Sequence, residues 1–173
     1  KYDEHYGLKY VSLRYFNACG AHLDGTLGEM HDPETHLIPI LLQVASGRRK
    51  HINVFGDDYP TPDGSCLRDY VHVMDIAEAH MLALENLVST KTSQVFNIGN
   101  SKGFSVKEII QKAKEITKVD IPFKVLGRRK GDPAKLIADN KKITNLLNWN
   151  PKYSDLETIV KTAWNWEKNF KIK

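Results

Sequence analysis

Apolar and polar positions along this chain follow two periods, and the periods interleave. Residues 8–16 (LKYVSLRYF) alternate and are rich in β-formers, which predicts a strand. Residues 36–47 (HLIPILLQVASG) read as a helix ending at Gly47, with Pro39 tolerable in its first turn. Residues 51–55 (HINVF) give a short strand, and residues 68–73 (RDYVHV) are strand-like. Residues 74–88 then turn helical, with Ala77, Met81, Leu84 and Val88 on one face. Residues 93–100 (SQVFNIGN) make the next strand. Ser105 and Glu108 have capping-box spacing, and the helix behind them carries Val106, Ile109, Ile110, Ala113 and Ile116 on one stripe. Residues 121–126 (IPFKVL) predict a strand and 135–139 (KLIAD) a short extended run. Asp139 can cap a helix running through Leu147, which "NWNP" breaks. Ser154 and Glu157 suggest a second capping box, for a last helix with Leu156, Ile159, Val160 and Ala163 inward. Strands alternating with helices point to an α/β fold.

Two segments fall outside this rhythm. Residues 17–34 hold three glycines and mixed polar residues, and read as a long loop; loops of that length are usually functional or mobile. Residues 55–66 (FGDDYPTPDGSC) are dense in turn formers: two prolines fix φ, two glycines permit positive φ, and the aspartates can bond their own backbone. A plain connector needs none of that stiffness. The start, "KYDEHYG", reads as the last turns of a helix ending at Gly7, so the chain reads as the back half of a longer protein.

Composition narrows the class. The 173 residues are 41% apolar and 27% charged, an ordinary globular mix with enough chain for a real core. The formal charge is +4, from 25 Lys and Arg against 21 Asp and Glu. That is too small and scattered to imply a nucleic-acid partner, and fits a slight preference for anionic ligands. No apolar run approaches the ~20 residues of a membrane span. Cys19 and Cys66, far apart, suggest reduced thiols and a cytoplasmic setting.

Candidate chemistry is sparse. The sequence contains no G-x-G-x-x-G and no G-x-x-x-x-G-K-[ST], so it holds no standard backbone nest for nucleotide phosphates. It has no Tyr followed four residues later by Lys, so that proton-transfer pair is missing as well. His31, Asp32, Glu34 and His36 (HDPETH) match no standard zinc spacing; they read as a solvated loop entering a helix, with Asp32 and Glu34 complementing its dipole. Residues 127–133 (GRRKGDP) are either a charged surface turn or an anion clamp, because an Arg fork fits phosphate oxygens in a bidentate way. Arg68 is either half of a weak strand-end pair with Asp69 or a second such clamp. Phe16 and Phe55 are core residues or flat walls for a planar base, and Asn17 caps a turn or bonds a ligand.

Five segments, taken in order, carry a resemblance: LRYFNACGAH, HLIPILLQVASGRR, NVFGDDYPTPDGSCLRDYVHVMDIAEAH, VFNIGNSKGFSV and GRRKGDPAKLIAD. Together they resemble the C-terminal half of the UDP-glucose 4-epimerase family, within the extended short-chain dehydrogenases/reductases. The resemblance covers nearly all of residues 1–173, and residues 54–75 are its most specific part. It implies an α/β fold: the substrate-binding part of such an enzyme, with strands that would complete a Rossmann-type sheet. Residues 1–16 and about 69–100 would pack on the cofactor-domain sheet and expose edges here, while 17–68 and 101–173 would mainly bind the UDP-sugar.

The implied reaction interconverts UDP-glucose and UDP-galactose by NAD-dependent oxidation and reduction at sugar C4, in a homodimeric parent protein. NAD would be held mainly by a half that this sequence does not contain, so the chain alone is expected to be inactive, with no catalytic residue and no metal ligand of its own. By the resemblance, Phe16 lies by the nicotinamide and Asn17 contacts the UDP-sugar. His36 and Leu37 touch the nucleotide; the family often has Asn-Leu there. Asn53, Val54 and Phe55 form the uracil wall, Arg68 and Arg129 take the diphosphate, and Asp132 accepts a hydroxyl. Leu136 falls where residue size is linked to admitting N-acetylated sugars. Half of a sugar-nucleotide dehydratase or decarboxylase, or a non-catalytic nucleotide-sugar module, are the alternatives.

Overall fold

A computed structural model of the chain describes residues 1–169. A short helix α1 (Tyr2–Tyr6) ends on Gly7 in the left-handed region, and β1 (Val11–Tyr15) follows. The segment read as a bare loop from residue 17 begins instead with a strand, β2 (Asn17–Cys19). Three residues are too short for alternation to show, and only pairing with a distant strand reveals them. Next come α2 (Leu37–Ala45) and β3 (Ile52–Phe55).

The run expected as one strand at 68–73 is two, β4 (Leu67–Arg68) and β5 (Tyr70–His72), which belong to different sheets and are divided at Asp69. Helix α3 (Val73–Thr90) leads into β6 (Gln94–Ile98), β7 (Phe104–Ser105) and α4 (Val106–Thr117). The chain continues through β8 (Phe123–Leu126), β9 (Lys135–Leu136), α5 (Lys141–Leu147) and α6 (Leu156–Asn169).

The strands form small, mainly parallel sheets. β1 pairs with β6, with Val11 opposite Gln94 and Tyr15 opposite Ile98. β2 pairs with β5, β3 with β8, and β4 lies between β7 and β9, antiparallel only to β7. Two apolar cores fill the molecule. One packs α2, α4 and α6 through Leu41, Leu42, Ile109, Ile110, Ile159 and Val160. The other packs α3 and α5 on β6 through Ile76, Ala79, Ala83, Phe96, Ile98, Ile143 and Trp149. No helix among the described residues is long and apolar enough to cross a membrane.

Caps and faces follow the pattern in part. The Ser105–Glu108 capping box forms in both directions, and the α4 stripe packs inward as expected. The second box does not form. Asp155 caps α6 by accepting from the Thr158 N–H at 2.8 Å, because the Ser154 hydroxyl is drawn to the buried carboxylate of Asp75. Asn140 is the N-cap of α5; Asp139, one residue earlier, accepts from the Lys141 N–H at 3.1 Å.

The apolar face that the sequence shows on α3 is the outer one. Met81, Leu84 and Val88 are 58%, 55% and 68% exposed, and Ala77 is exposed with them, while Ile76, Ala79 and Ala83 are buried. The helix carries two apolar stripes. The narrower one, with its small alanines, allows close approach to the sheet.

His72 ties three elements together from a fully buried position. Its Nδ1 accepts the Met74 N–H at 3.1 Å and so caps α3. Its Nε2 must then carry the proton, which it donates to Thr162 Oγ1 of α6 at 3.0 Å. Burial lowers the His72 pKa below its ordinary 6.5, against the opposing pull of Asp75 and Asp155. The unfolded chain therefore takes up the proton first. This contribution to stability is complete above about pH 6.5 and is lost as pH falls toward the lower folded value. The thermal midpoint should drop between pH 7.5 and 5.5, and His72→Asn, which keeps a capping oxygen but cannot titrate, should flatten that slope.

Candidate functional site

A cavity of about 1060 Å³ opens where β2, β3, β4 and the N-terminus of α2 meet. Phe16 and Asn17 reach it from the end of β1 and the start of β2; His36 and Leu37 reach it from the start of α2. Asn53, Val54 and Phe55 come from β3, Arg68 from β4, and Arg129 and Asp132 from the turn before β9. Ten of the eleven candidate residues thus share one wall system. The eleventh, Leu136, pairs with Arg68 across β4 and β9, is about half exposed, and does not line the cavity.

The stiff turn between β3 and β4 is a built object. Gly64 has φ +80°, and a Cβ there would lie 1.9 Å from the Asp57 carbonyl oxygen, so the turn closes only with glycine. Asp63 Oδ1 accepts both the backbone N–H and the hydroxyl of Ser65, each at 2.8 Å. Asp63 also takes the Ser105 hydroxyl, and Lys107 Nζ reaches the Asp63 carbonyl at 2.8 Å, which fixes the turn to α4. Burial raises the Asp63 pKa, but these donors outweigh it and leave the carboxyl below its ordinary value. Phe55 and Arg68 are thereby held at opposite ends of one rigid segment.

The arginines are held differently. Arg68 does not pair with Asp69. Its guanidinium, 12% exposed, bonds Asp132 and the carbonyls of Leu67 (2.7 Å) and Pro133 (2.9 Å). Arg129 lies over the Phe55 ring at 3.7 Å, a cation–π contact, and is poised between the aromatic wall and the anion space. Arg128, its neighbour, faces away to Asp58 and to the Tyr59 ring. Sequence reading missed Arg49 and Glu29, which also line the cavity. Arg49 was visible in "GRR" just past the α2 helix, whereas Glu29 sits in a loop with no spacing to flag it.

The titratable groups facing this space favour binding over proton transfer. Burial raises the pKa of the Cys66 thiol and pushes the Tyr70 phenol well up, so neither is ionised near neutrality. Glu29 is raised as well, mainly by burial, against the pull of His36 and His31. Two guanidinium groups beside an aromatic wall make a receptor for a flat group joined to an anionic one.

Asp69, fully buried, sets the position of Arg68 next to it. Its carboxylate accepts the backbone N–H groups of Asn100 (2.8 Å), Ser101 (3.0 Å) and Ala138 (3.0 Å). A Cβ on Gly99 would come within 2.6 Å of that carboxylate and of the Ala138 methyl, which accounts for the glycine.

Residues 1–99 match the family model described as the NAD dependent epimerase/dehydratase family. The chain belongs to that family. Within it, the UDP-glucose 4-epimerase of Halalkalibacterium halodurans is 58% identical over 166 residues, which cover 96% of this chain and 50% of that protein. The crystal structure of UDP-glucose 4-epimerase from Brucella ovis in complex with NAD superimposes with a TM-score of 0.91 at 49% identity, covering 94% of this chain and 50% of that one. The UDP-glucose 4-epimerase from Bifidobacterium longum in complex with NAD+ and UDP gives 0.86 at 35% identity, covering 97% and 50%. The chain spans about half the length of the curated relatives it matches.

Replacing Asp69 by Asn would turn one acceptor oxygen into an NH₂ facing a backbone N–H. Loss of about 1–3 kcal/mol of stability is expected, measured by urea denaturation.

Proposed function

We propose that this chain is the nucleotide-sugar-binding half of a UDP-glucose 4-epimerase, interconverting UDP-glucose and UDP-galactose within a longer cytoplasmic, homodimeric protein. The observation that carries the reading is the shared cavity: Asn53–Phe55, Arg68, Arg129 and Asp132, far apart in sequence, face one space beside Asn17, His36 and Leu37. Phe55 and the β3 strand offer a wall for uracil. Arg68 and Arg129 match the two negative charges of the diphosphate. Asn17, and Asp132 through the oxygen not engaged by Arg68, would serve hydroxyl and sugar contacts. Arg129 covers Phe55, so base and diphosphate would enter together as that guanidinium turns from ring to phosphate.

NAD supplies the hydride chemistry in such an enzyme. The residues of this chain do not make its site: the sequence has no Gly-rich phosphate loop and no Tyr-x-x-x-Lys pair, and Phe16 is the one residue assigned to the nicotinamide. What this chain contributes is grip on the unreactive handle of the substrate, which serves the reacting centre through binding energy gained away from it. In this reading β1, β6 and the elements packed on them extend the cofactor-domain sheet, and the cavity residues belong to the substrate side.

Calorimetric titration of UDP into the 173-residue chain tests the grip. Arg68→Ala should weaken binding about 10- to 100-fold, since a hydrogen bond to a charged group contributes on the order of 1.5–3 kcal/mol. Arg68→Lys should recover only part of it, because a point charge lacks the fork. Unchanged affinity in Arg68→Ala, or preference for dTDP-glucose over UDP-glucose, would refute the reading. With added NAD, the chain alone should convert no UDP-galactose to UDP-glucose.

A further inference from the structure

The loop between β2 and α2 brings together three side chains that sequence spacing did not connect. His31 Nε2 and His36 Nδ1 converge on a single oxygen, Glu29 Oε1, at 3.1 and 2.8 Å. The two imidazole rings lie 4.9 Å apart, inclined at 54°. One donor atom from each of Glu29, His31 and His36 falls within 4.8 Å of the others. Donor atoms on a tetrahedral ion at 2.0–2.1 Å are about 3.3–3.4 Å apart, only a few tenths of an ångström beyond the two contacts to Glu29.

The backbone beneath these side chains is fixed. Trp166 donates its indole N–H to the Glu29 carbonyl at 3.0 Å. The preceding Gly28 is pressed so close to that indole that a Cβ would lie 2.2 Å from it. On the other side, Glu34, with its side chain 4% exposed, accepts the N–H groups of Thr35 (2.7 Å) and His36 (2.8 Å) and lies 2.9 Å from His36 Nδ1. Glu29 and His36 are therefore presented from anchored backbone positions, and both histidine rings are about half exposed.

We infer that Glu29, His31 and His36 form a binding site for a divalent transition-metal ion of the zinc class. Two imidazoles with a carboxylate suit Zn²⁺, Co²⁺ or Ni²⁺; Mg²⁺ and Ca²⁺ prefer all-oxygen sets. Binding replaces ring protons that otherwise bridge to Glu29. The second carboxylate, Glu34, lies 2.9 Å from the same His36 Nδ1 and so stands beside the ion, where its charge adds to that of Glu29. All three ligands also line the cavity that holds Arg68 and Arg129, so a fourth coordination position can take a water or an anionic oxygen there. The ion would fasten the loop to the start of α2. The inference rests on this geometry alone and is independent of the nucleotide-sugar reading.

Zinc chloride titrated calorimetrically into the 173-residue chain should show one equivalent bound, with a rise in thermal midpoint. Co²⁺ should give the intense visible absorption of a low-coordinate, histidine-containing site, and Mg²⁺ should give neither signal. His31→Ala and Glu29→Gln should each weaken zinc by on the order of 100-fold, and Glu34→Gln, which removes only a neighbouring charge, by a smaller factor. His22→Ala, at a separate histidine–aspartate pair, should bind as the wild type does. Circular dichroism in EDTA verifies folding, and His31→Gln replaces His31→Ala if the latter fails to fold. Absence of stoichiometric zinc, or wild-type affinity in the folded His31 variant and Glu29→Gln, would overturn the site.

Discussion

A fully buried carboxylate is tolerable only if its oxygens are bonded, and Asp69 turns that requirement into architecture. It stands where β4 ends and β5 begins, and so at the point where the chain passes between two sheets. Its three donors come from the segment after β6 and from the residue two beyond β9. One side chain thereby holds the end of the β1–β6 pair against the three-stranded sheet that carries Arg68. With both Asp69 oxygens engaged by backbone, Arg68 turns to Asp132 and two carbonyls instead. An ion-pair reading of the adjacent residues fails for that reason: the acid is already satisfied, and its neighbour points elsewhere.

A second polar hub joins the other elements. Asp75 accepts the N–H groups of Lys152 and Tyr153 and the Ser154 hydroxyl, while Ser154 Oγ also accepts the His72 N–H. His72 in turn reaches Thr162 on α6, and Thr162 Oγ1 accepts the Ala21 N–H just beyond β2. Each side chain of this network is partnered, so it aligns α3, α6 and the loop after β2 without an uncompensated buried charge. The cavity is lined by the chain neighbours of both hubs: Arg68 and Tyr70 beside Asp69, and Val73 and Met74 beside His72.

Much of this was legible in the sequence, and the misses share a cause. Long periodic segments such as α4, with its capping box and five-residue stripe, declare themselves locally. The paired strands β1 and β6 did so as well. β2 and β7 are three- and two-residue strands defined by distant partners, and nothing local marks them. The Ser154 cap was lost to a longer-range bond with Asp75, a case of tertiary structure overriding a local motif. On α3, periodicity found a true apolar stripe but could not tell which of two stripes meets the sheet. The cavity residues were found through ordered motifs and not through spacing, since each taken singly favoured a structural role. Glu29 escaped because its partners meet it only through the fold of a loop.

The two ends of the stiff turn behave differently, and the difference bears on function. At one end Arg68 is fixed by a carboxylate and two carbonyls, so its fork is oriented before any anion arrives. Little conformational entropy remains to be lost there on binding. At the other end Phe55 is covered by Arg129 through a contact worth on the order of 0.5–1 kcal/mol at an exposed site, weak enough to exchange for a phosphate. Under the proposed reading, the fixed arginine would define where the anion sits, and Arg129 would close over it when a planar group takes its place on the ring. A ligand carrying both groups satisfies both ends; an anion alone would leave Arg129 divided between phosphate and ring. Under the proposed nucleotide-sugar reading, the turn would favour a nucleoside diphosphate over inorganic phosphate, because it fixes the spacing between Phe55 and Arg68.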